Sequence, residues 1–205
     1  MCAACRRPQA VCICHWVTPV AHPIEVLILQ HPLEQHHAKN SARLLHLSLT
    51  HSRLIVGESF DEPALHQALQ VPKYTVLLYP RAAPALDLAP ALDPMRLADV
   101  AHLRLVVLDG TWRKSRKMLH LSPLLQGLPR LSLEDVPVSR YVIRKAHKPG
   151  QLSTLEATCA ALAQLGPSPE ELLPLLAAFD GFVAQQLALS ALPGRVRQTD
   201  QPSPG

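Results

Sequence analysis

The sequence predicts an α/β fold in which a mostly parallel sheet has flanking helices and a small cysteine-rich segment precedes it. Two observations support this class. Short apolar runs, typical of buried strands, alternate with amphipathic stretches of about ten to fifteen residues, as in parallel sheets. Apolar residues make up 48% of the 205 residues, which is enough to bury one main core.

The first predicted strand is the apolar run 24–32, and an amphipathic helix at 34–49 follows it with Leu44, Leu45 and Leu47 turned inward. Further strands are predicted at 53–58, 74–80, 103–109 and 130–135. Further helices are predicted at 61–70 with Asp61 as cap, after Asp93-Pro94, after Gly110, at 153–166 and at 168–190. Pro-rich residues 80–93 and polar residues 136–151 are predicted loops.

We expect three parts along the chain: a zinc-binding knuckle at 1–20, a catalytic domain at 21–190 and a disordered tail at 191–205. The net charge of +4 is mildly basic and favours a polyanionic partner only where the cations cluster. The first residues lack the apolar run of a secretory signal, and no uninterrupted apolar run approaches the roughly 20 residues of a membrane span. A cytoplasmic protein without a membrane partner is therefore expected.

Four cysteines lie within the first fourteen residues, with the spacing C-x2-C-x6-C-x-C. Thiols so closely spaced in a reducing compartment favour a metal site over disulfides. Four thiolates around a tetrahedral ion form a closed structural zinc site. The predicted ligands are Cys2, Cys5, Cys12 and Cys14. Arg6 and Arg7 lie at the tip of this segment, which either contacts phosphate or only holds the N-terminus to the main domain.

The junction after the most apolar strand carries the strongest functional signal. Asp109 ends that strand, so its carboxylate is expected at the carboxyl edge of the sheet, where ligands bind in such folds. A purely capping role for Asp109 or Thr111 is the alternative. The next helix carries four cations on one broad arc, with Trp112 predicted on the opposite, packing side.

A second basic cluster in the following loop contains Arg140, Arg144, Lys145 and Lys148. Two basic clusters beside one ligand site suggest binding to a phosphate backbone, although charge runs are often only solvated surface. The segment from Ser153 to Glu156 has the pattern of a capping box, so Glu156 is interpreted first as structural. Cys159 is expected to be a small core residue rather than a nucleophile.

Five ordered segments together resemble the DTW-domain proteins, which take their name from an Asp-x-Thr-Trp motif. These segments are the cysteine pattern, HPLEQHHAKNSARLL, VLLYP, LDGTWRKSRKML and LSTLEA. The resemblance implies a tRNA-uridine aminocarboxypropyltransferase, which moves the 3-amino-3-carboxypropyl group of S-adenosylmethionine to N3 of a tRNA uridine and leaves 5′-methylthioadenosine. It also implies a fold related to the SPOUT methyltransferases, with a knotted cofactor-binding region that the strand and helix pattern itself does not show.

The resemblance assigns roles to residues of this chain. Asp109 is the catalytic candidate, either as base or as orienting group. The candidates for binding S-adenosylmethionine are Leu78, Tyr79, Leu108, Gly110, Thr111, Trp112, Ser153 and Thr154. The candidates for binding tRNA are Lys39, Arg113, Lys114, Arg116, Lys117, Arg144 and Lys145. A SPOUT-like RNA methyltransferase and a non-catalytic RNA-binding module are the competing interpretations.

Overall fold

The structure of the protein is a computed structural model, and it describes residues 1–60, 63–80, 89–134, 138–141, 143, 151–166 and 168–191. The strands are β1 (Glu25–Gln30), β2 (Ser52–Val56), β3 (Tyr74–Leu78), β4 (Leu103–Asp109) and β5 (Arg130–Leu131). The helices are α1 (Ala42–Ser48), α2 (Pro63–Leu69), α3 (Pro94–Leu97), α4 (Trp112–His120), α5 (Pro123–Gln126), α6 (Thr154–Leu165) and α7 (Leu173–Ala191). The predicted cap Asp61, the basic residues Arg144, Lys145 and Lys148, and the predicted tail beyond 191 lie outside the described residues.

The five strands form one sheet in the order β2-β1-β4-β3-β5, and every pairing is parallel. This confirms the predicted α/β class. Because β1 and β4 are central neighbours in register, Gln30 pairs with Asp109 at their last positions. The carboxyl ends of the strands therefore meet along one edge, which is where a parallel sheet presents its ligand site.

Alternation along the central strands divides the core between the two faces of the sheet. In β1, Val26 and Ile28 face the larger cluster, which includes buried residues of α1, α6 and α7, whereas Leu27 and Leu29 face the smaller cluster. The smaller cluster includes buried residues of α2, α4 and α5. Strands buried on both faces read as continuous apolar runs, because successive side chains point to opposite faces. This is why the sequence identified them.

The helix predicted at 34–49 is shorter than expected, since α1 begins only at Ala42. The preceding residues form a short 3-10 turn at Pro32–Glu34 and then an irregular segment. In that segment the carbonyl groups of Ala38 and Asn40 accept hydrogen bonds from the side chain of Arg7. The side chain of Arg7 thus occupies carbonyl groups that would accept from backbone amides if this segment were helical. Strand β5 is also shorter than the predicted 130–135.

The cysteine-rich segment packs directly on α7. Ile13 is completely buried, and the indole Nε1 of Trp16 donates a 2.8 Å hydrogen bond to Oε1 of Gln185. Gln185 in turn donates from Nε2 to the carbonyl of Cys12 at 3.0 Å. Gly181 allows this close approach, because a Cβ atom there would lie 2.2 Å from the Trp16 ring. The segment and the main domain therefore share one apolar core.

Among the described residues, one helical stretch, Pro169–Ala191, is long and apolar enough to cross a membrane by length and composition alone. The stretch contains Glu170, Glu171 and Asp180, so it is not an uninterrupted apolar run of the kind that the sequence analysis looked for. In this fold Leu175, Phe179 and Phe182 of the stretch are completely buried in the main core. A core helix passes the same test of length and composition, so the stretch is weak evidence for a membrane span.

Candidate functional site

A cleft of about 640 Å³ opens at the carboxyl ends of β3, β4 and β5. The first turns of α4 and α6 form its other walls. This volume lies within the roughly 300–1,000 Å³ that small-molecule sites occupy. The expected location of the site, at the carboxyl edge of a parallel sheet, is thus where the structure has its cavity.

All eight residues predicted to bind the cofactor line this cleft. They are Leu78, Tyr79, Leu108, Gly110, Thr111, Trp112, Ser153 and Thr154. They come from three separate sequence segments that are brought together by the parallel strands. Each of the two helices begins with a hydroxyl cap: Thr111 accepts from the amide of Lys114, and Ser153 accepts from the amide of Glu156. The first turn of each helix therefore faces the cleft with its positive end.

Trp112 does not lie on the packing side of α4, contrary to the prediction. The buried residues of α4 are Ser115, Met118 and Leu119, whereas 49% of Trp112 is exposed. Trp112 is the first residue of the helix and lines the cleft beyond the end of β4. Its ring and that of Tyr79 pack edge to face, with the centroids 5.7 Å apart and the planes at 76°. The pair gives the cleft an aromatic wall.

Asp109 is buried behind the cleft and is not among the residues that line it. Its Oδ1 accepts a 2.6 Å hydrogen bond from the Thr154 hydroxyl. Its Oδ2 accepts hydrogen bonds from Asn40 at 2.7 Å and Gln30 at 2.9 Å. Burial raises the pKa of Asp109, although these three hydrogen bonds favour the carboxylate. The carboxylate therefore joins β4 to β1, the segment before α1 and the first turn of α6.

The four cations of α4 are not equivalent. Nζ of Lys114 lies 2.8 Å from Oε1 of Glu34, and Nζ of Lys117 lies 3.0 Å from Oε1 of Glu58. Arg113 and Arg116 are exposed and form no ion pair with any described residue. The helix itself supplies no acidic partner, as the sequence indicated, but other loops supply two. Of the four predicted cations, only Arg113 and Arg116 thus present a positive charge that no described carboxylate neutralises.

Glu58 also contacts His31, so it connects α4 with the end of β1. Nε2 of His31 lies 3.0 Å from Oε1 of Glu58, while Nδ1 accepts from the amide of Leu33. Because Nδ1 is an acceptor, Nε2 carries the hydrogen and donates to Glu58. Hydrogen bonds from Lys117 and then from His31 lower the pKa of Glu58. This carboxylate is therefore held in its charged form beside the cationic helix.

Lys39, the remaining described candidate for tRNA binding, lies on the irregular segment before α1. Its ammonium group donates a 2.7 Å hydrogen bond to the carbonyl of Ile143 and is partly buried. Arg140, from the second basic cluster, forms an ion pair with Asp180 at 2.8 Å. These two cations are engaged with the protein, so Arg113 and Arg116 are the described candidates that are exposed and form no ion pair with another described residue.

The four cysteines predicted as metal ligands lie together. Their sulfur atoms are all within 4.8 Å of one another and could hold a metal ion. All four are free thiols. The sulfur atoms of Cys2 and Cys14 are 3.5 Å apart and those of Cys5 and Cys12 are 3.7 Å apart, far longer than a disulfide bond of about 2.05 Å. The disulfide alternative is therefore excluded in this structure.

Glu156 and Cys159 have the structural roles that the sequence indicated. Glu156 completes the capping box of α6 by accepting from the amide of Ser153 at 2.8 Å. It also accepts from the amide of Arg140 at 2.6 Å, so it ties the preceding loop to the helix. Cys159 is buried, and burial raises the pKa of its thiol to about 12, with a smaller contribution from Glu156. Such a thiol is unreactive.

Several site residues were missed by sequence reasoning. Gln30 and Asn40 hold Asp109. Leu131, the last residue of β5, and the next two residues, Ser132 and Leu133, complete the cleft wall. Gln30 carried a readable signal, since it is the polar last residue of an apolar strand, as Asp109 is of β4. Asn40 lies in a stretch that read as helix, so its contact with Asp109 could be seen only in the fold.

The fold and the site define an α/β protein with a small-molecule cleft at the carboxyl edge of its sheet and a four-thiol cluster in its N-terminal segment. The chain belongs to the DTW-domain family, because residues 1–187 match the DTW domain. No solved structure matches the chain significantly.

Curated relatives carry a consistent name. The chain is 34% identical over 183 residues to tRNA-uridine aminocarboxypropyltransferase 2 of Drosophila melanogaster, covering 82% of this chain and 68% of the relative. It is 30% identical to the protein of that name from Macaca fascicularis, covering 80% of this chain and 56% of the relative. It is 29% identical to tRNA-uridine aminocarboxypropyltransferase A of Arabidopsis thaliana, covering 84% and 75%. These relatives are named as transferases, and the chain spans only part of the length of each.

Proposed function

We propose that this chain transfers the 3-amino-3-carboxypropyl group of S-adenosylmethionine to N3 of a uridine in tRNA. In this reaction the imide nitrogen loses its proton and forms a bond to Cγ of the donor. The bond between Cγ and sulfur breaks, and its electron pair stays on sulfur, which becomes the neutral thioether of 5′-methylthioadenosine. The proposal is supported by the cleft in which all eight predicted cofactor residues meet, and by the names of the relatives.

The cleft suits a donor that has both an apolar part and a charged part. Tyr79 and Trp112 offer an aromatic wall that fits an adenine ring. The first turns of α4 and α6 direct backbone N–H groups toward the cleft, which suits the donor carboxylate. Because the sulfonium already activates the neighbouring carbons, the task of the protein is to place Cγ rather than the methyl group in line with the uridine nitrogen.

In this scheme Asp109 acts by orientation. Its oxygens are occupied by Thr154, Asn40 and Gln30, and the residue lies behind the cleft lining. A carboxylate held in this way fixes the hydroxyl of Thr154, which does line the cleft. Burial raises the pKa of Asp109, which would also make it a better base, but direct proton abstraction requires a carboxylate oxygen that reaches the uridine. The geometry favours the orienting role.

We also propose that tRNA lies along the exposed side of α4. Arg113 and Arg116 would bind the phosphate backbone, because their forked guanidinium groups suit phosphate oxygens. Lys114 and Lys117 contribute less, because Glu34 and Glu58 already neutralise them. Lys39, Arg144 and Lys145 stay predicted tRNA contacts; Lys39 already donates to the carbonyl of Ile143, and the other two lie outside the described residues.

The metal held by the four thiolates is proposed to be zinc with a structural role. Zinc–sulfur bonds of about 2.3 Å in a tetrahedron place the sulfur atoms about 3.8 Å apart. Two observed separations, 3.5 and 3.7 Å, are near this value, and all four sulfur atoms lie within 4.8 Å of one another. Four thiolates leave no position for water, so the ion would stabilise the fold and take no part in the transfer.

Kinship with the SPOUT methyltransferases and a cytoplasmic location complete the proposal. The all-parallel sheet with a cleft at its carboxyl edge supports the kinship, and a knot in the cofactor-binding region is part of what that kinship implies. Five free cysteines support a reducing compartment.

The test is mass spectrometry of nucleosides from tRNA incubated with S-adenosylmethionine and the purified chain. The expected products are 3-(3-amino-3-carboxypropyl)uridine and an equal amount of 5′-methylthioadenosine. A methylated nucleoside with S-adenosylhomocysteine would instead show a methyltransferase. Retained tRNA binding without consumption of S-adenosylmethionine would show a non-catalytic binding module.

A matched pair of variants locates the donor. Trp112→Ala should weaken S-adenosylmethionine binding at least tenfold, because it removes half of the aromatic wall. Met95→Ala removes another exposed apolar side chain, 83% exposed at the opposite end of the sheet, and should leave donor binding unchanged. Equal donor affinity of the two variants would place the donor outside this cleft.

A further inference from the structure

A series of hydrogen bonds connects the cysteine-rich segment to the cleft, and it begins at Arg7. The carbonyl of Arg7 accepts from the amide of Cys2 at 2.7 Å, so the backbone of Arg7 is part of the turn that gathers the thiols. The guanidinium carbon lies 5.3 Å from the centroid of the Phe182 ring on α7. Arg7 is therefore placed from two sides, by the cysteine turn and by the main core.

The guanidinium group of Arg7 holds the segment just before α1. Nη1 donates to the carbonyl of Ala38 at 2.6 Å, and Nη2 donates to the carbonyl of Asn40 at 3.0 Å. The carbonyl between them, of Lys39, accepts from the hydroxyl of Tyr141. Three consecutive carbonyl groups are thus bound by side chains from elsewhere in the chain. The backbone at Asn40 is held by these contacts and by its own amide, which donates to the carbonyl of His37 at 2.9 Å, rather than by regular secondary structure. Oδ1 of Asn40 also accepts from Gln30 and from the amide of Arg43, both at 3.3 Å.

The side chain of Asn40 continues the series into the sheet. Its Nδ2 donates to Oδ2 of Asp109 at 2.7 Å, and Oδ1 of Asp109 accepts from the hydroxyl of Thr154 at 2.6 Å. Thr154 lines the cleft at the first turn of α6. A rotation of the backbone at Asn40 would withdraw one of the three donors from a buried carboxylate, and a carboxylate in that position is costly without its partners.

We propose that Arg7 is a positioning residue for the cleft: it fixes Asn40 and, through Asp109, the hydroxyl of Thr154. The cysteine-rich segment then takes part in shaping the donor site without touching the donor. This inference rests on the proposed function only for its kinetic readout. The neighbouring residue, Arg6, is exposed, carries the same charge and forms no hydrogen bond from its side chain to the described residues. It is the matched control.

The experiment compares Arg7→Ala, Arg7→Lys and Arg6→Ala in the full zinc-loaded chain. Hydrogen–deuterium exchange followed by mass spectrometry reports on peptides that cover 36–45 and 151–158. Arg7→Ala should speed exchange in both peptides and leave the zinc content and the exchange of β1 and β4 unchanged. Arg7→Lys should restore part of the protection, because an ammonium group can reach one carbonyl but lacks the fork.

The kinetic readout separates positioning from general stability. Arg7→Ala should raise KM for S-adenosylmethionine and lower kcat on the order of 10-fold or more, as expected for slightly misplaced groups, while KM for tRNA stays unchanged. Arg6→Ala should match the wild type in both readouts, and Arg7→Lys should fall between them.

The proposal is overturned if Arg7→Ala and Arg6→Ala exchange alike at 151–158. It is also overturned if Arg7→Ala loses zinc or exchanges faster throughout the chain, because Arg7 would then only stabilise the fold. A wild-type chain without transferase activity would reject the proposed function, whereas the exchange data would still decide whether Arg7 positions the cleft.

Discussion

The cationic face of α4 leads to a prediction with a calculable size. Arg113 and Arg116 are exposed and lack ion-pair partners among the described residues, so each is free to contact one phosphate. Each phosphate contact contributes about 0.9 to the slope of log affinity against log salt on a duplex, and about 0.7 on a single strand. The double variant Arg113→Ala/Arg116→Ala should therefore flatten the slope by about 1.4–1.8.

The matched control removes an ion pair without changing the net charge. In Lys114→Gln/Glu34→Gln, both members of the 2.8 Å pair become neutral, and the slope should stay within about 0.3 of the wild type. Labelled tRNA titrated at four or more salt concentrations gives both slopes. An unchanged slope in the arginine variant would show that α4 is only a solvated surface. A loss of about 0.9 in the control would show that Lys114 leaves Glu34 to contact phosphate.

Three further predictions concern stability and the metal. Asp109→Ala should lower the free energy of unfolding by about 2–4 kcal/mol, because buried donors lose their acceptor; an unchanged Tm in calorimetry would contradict this. Gly181→Ala should lower Tm because its Cβ would lie 2.2 Å from the Trp16 ring, and adding Trp16→Ala should relieve that clash. A Gly181→Ala variant with the Tm of the wild type would show that Trp16 does not pack this closely on Gly181. Cys12→Ser should lose zinc that Cys159→Ser retains, and elemental analysis of both proteins measures it; metal-free wild-type protein would reject the site.

Elements buried on both faces were predictable from local sequence. The central strands β1 and β4 are continuous apolar runs, because each successive side chain meets a different face of the core. The N-termini of two helices were equally predictable. Asp93 accepts from two amides of α3, and Ser153 forms the capping box of α6 with Glu156. These signals lie within a few residues of one another, so a chain without its fold still shows them.

The boundary of α1 was not predictable in the same way. The stretch 34–41 has helical periodicity, yet Arg7 takes the carbonyls of Ala38 and Asn40 and leaves the stretch irregular. Hydrogen bonds from a residue distant in the chain override the local helix propensity of this stretch. The sequence near the stretch contains no signal of these bonds. The exposure of Trp112 was also not predictable from local sequence. Helical periodicity places Trp112 on the same side of α4 as the buried residues, but it does not show that this first residue of the helix lies beyond the end of the sheet.

The sequence by itself determined the chemistry available to this protein: four thiols at metal-ligand spacing, a carboxylate at a strand end, two capped helices and a cationic run. Those properties belong to residue types and to short spacings, which are local. The tertiary structure alone decided which groups are free to act. It buried Asp109 behind Thr154, paired Lys114 with Glu34 and left Arg113 exposed. Ion pairs and hydrogen bonds join residues that are far apart in the chain, so their neutralising and orienting effects arise only when the chain folds.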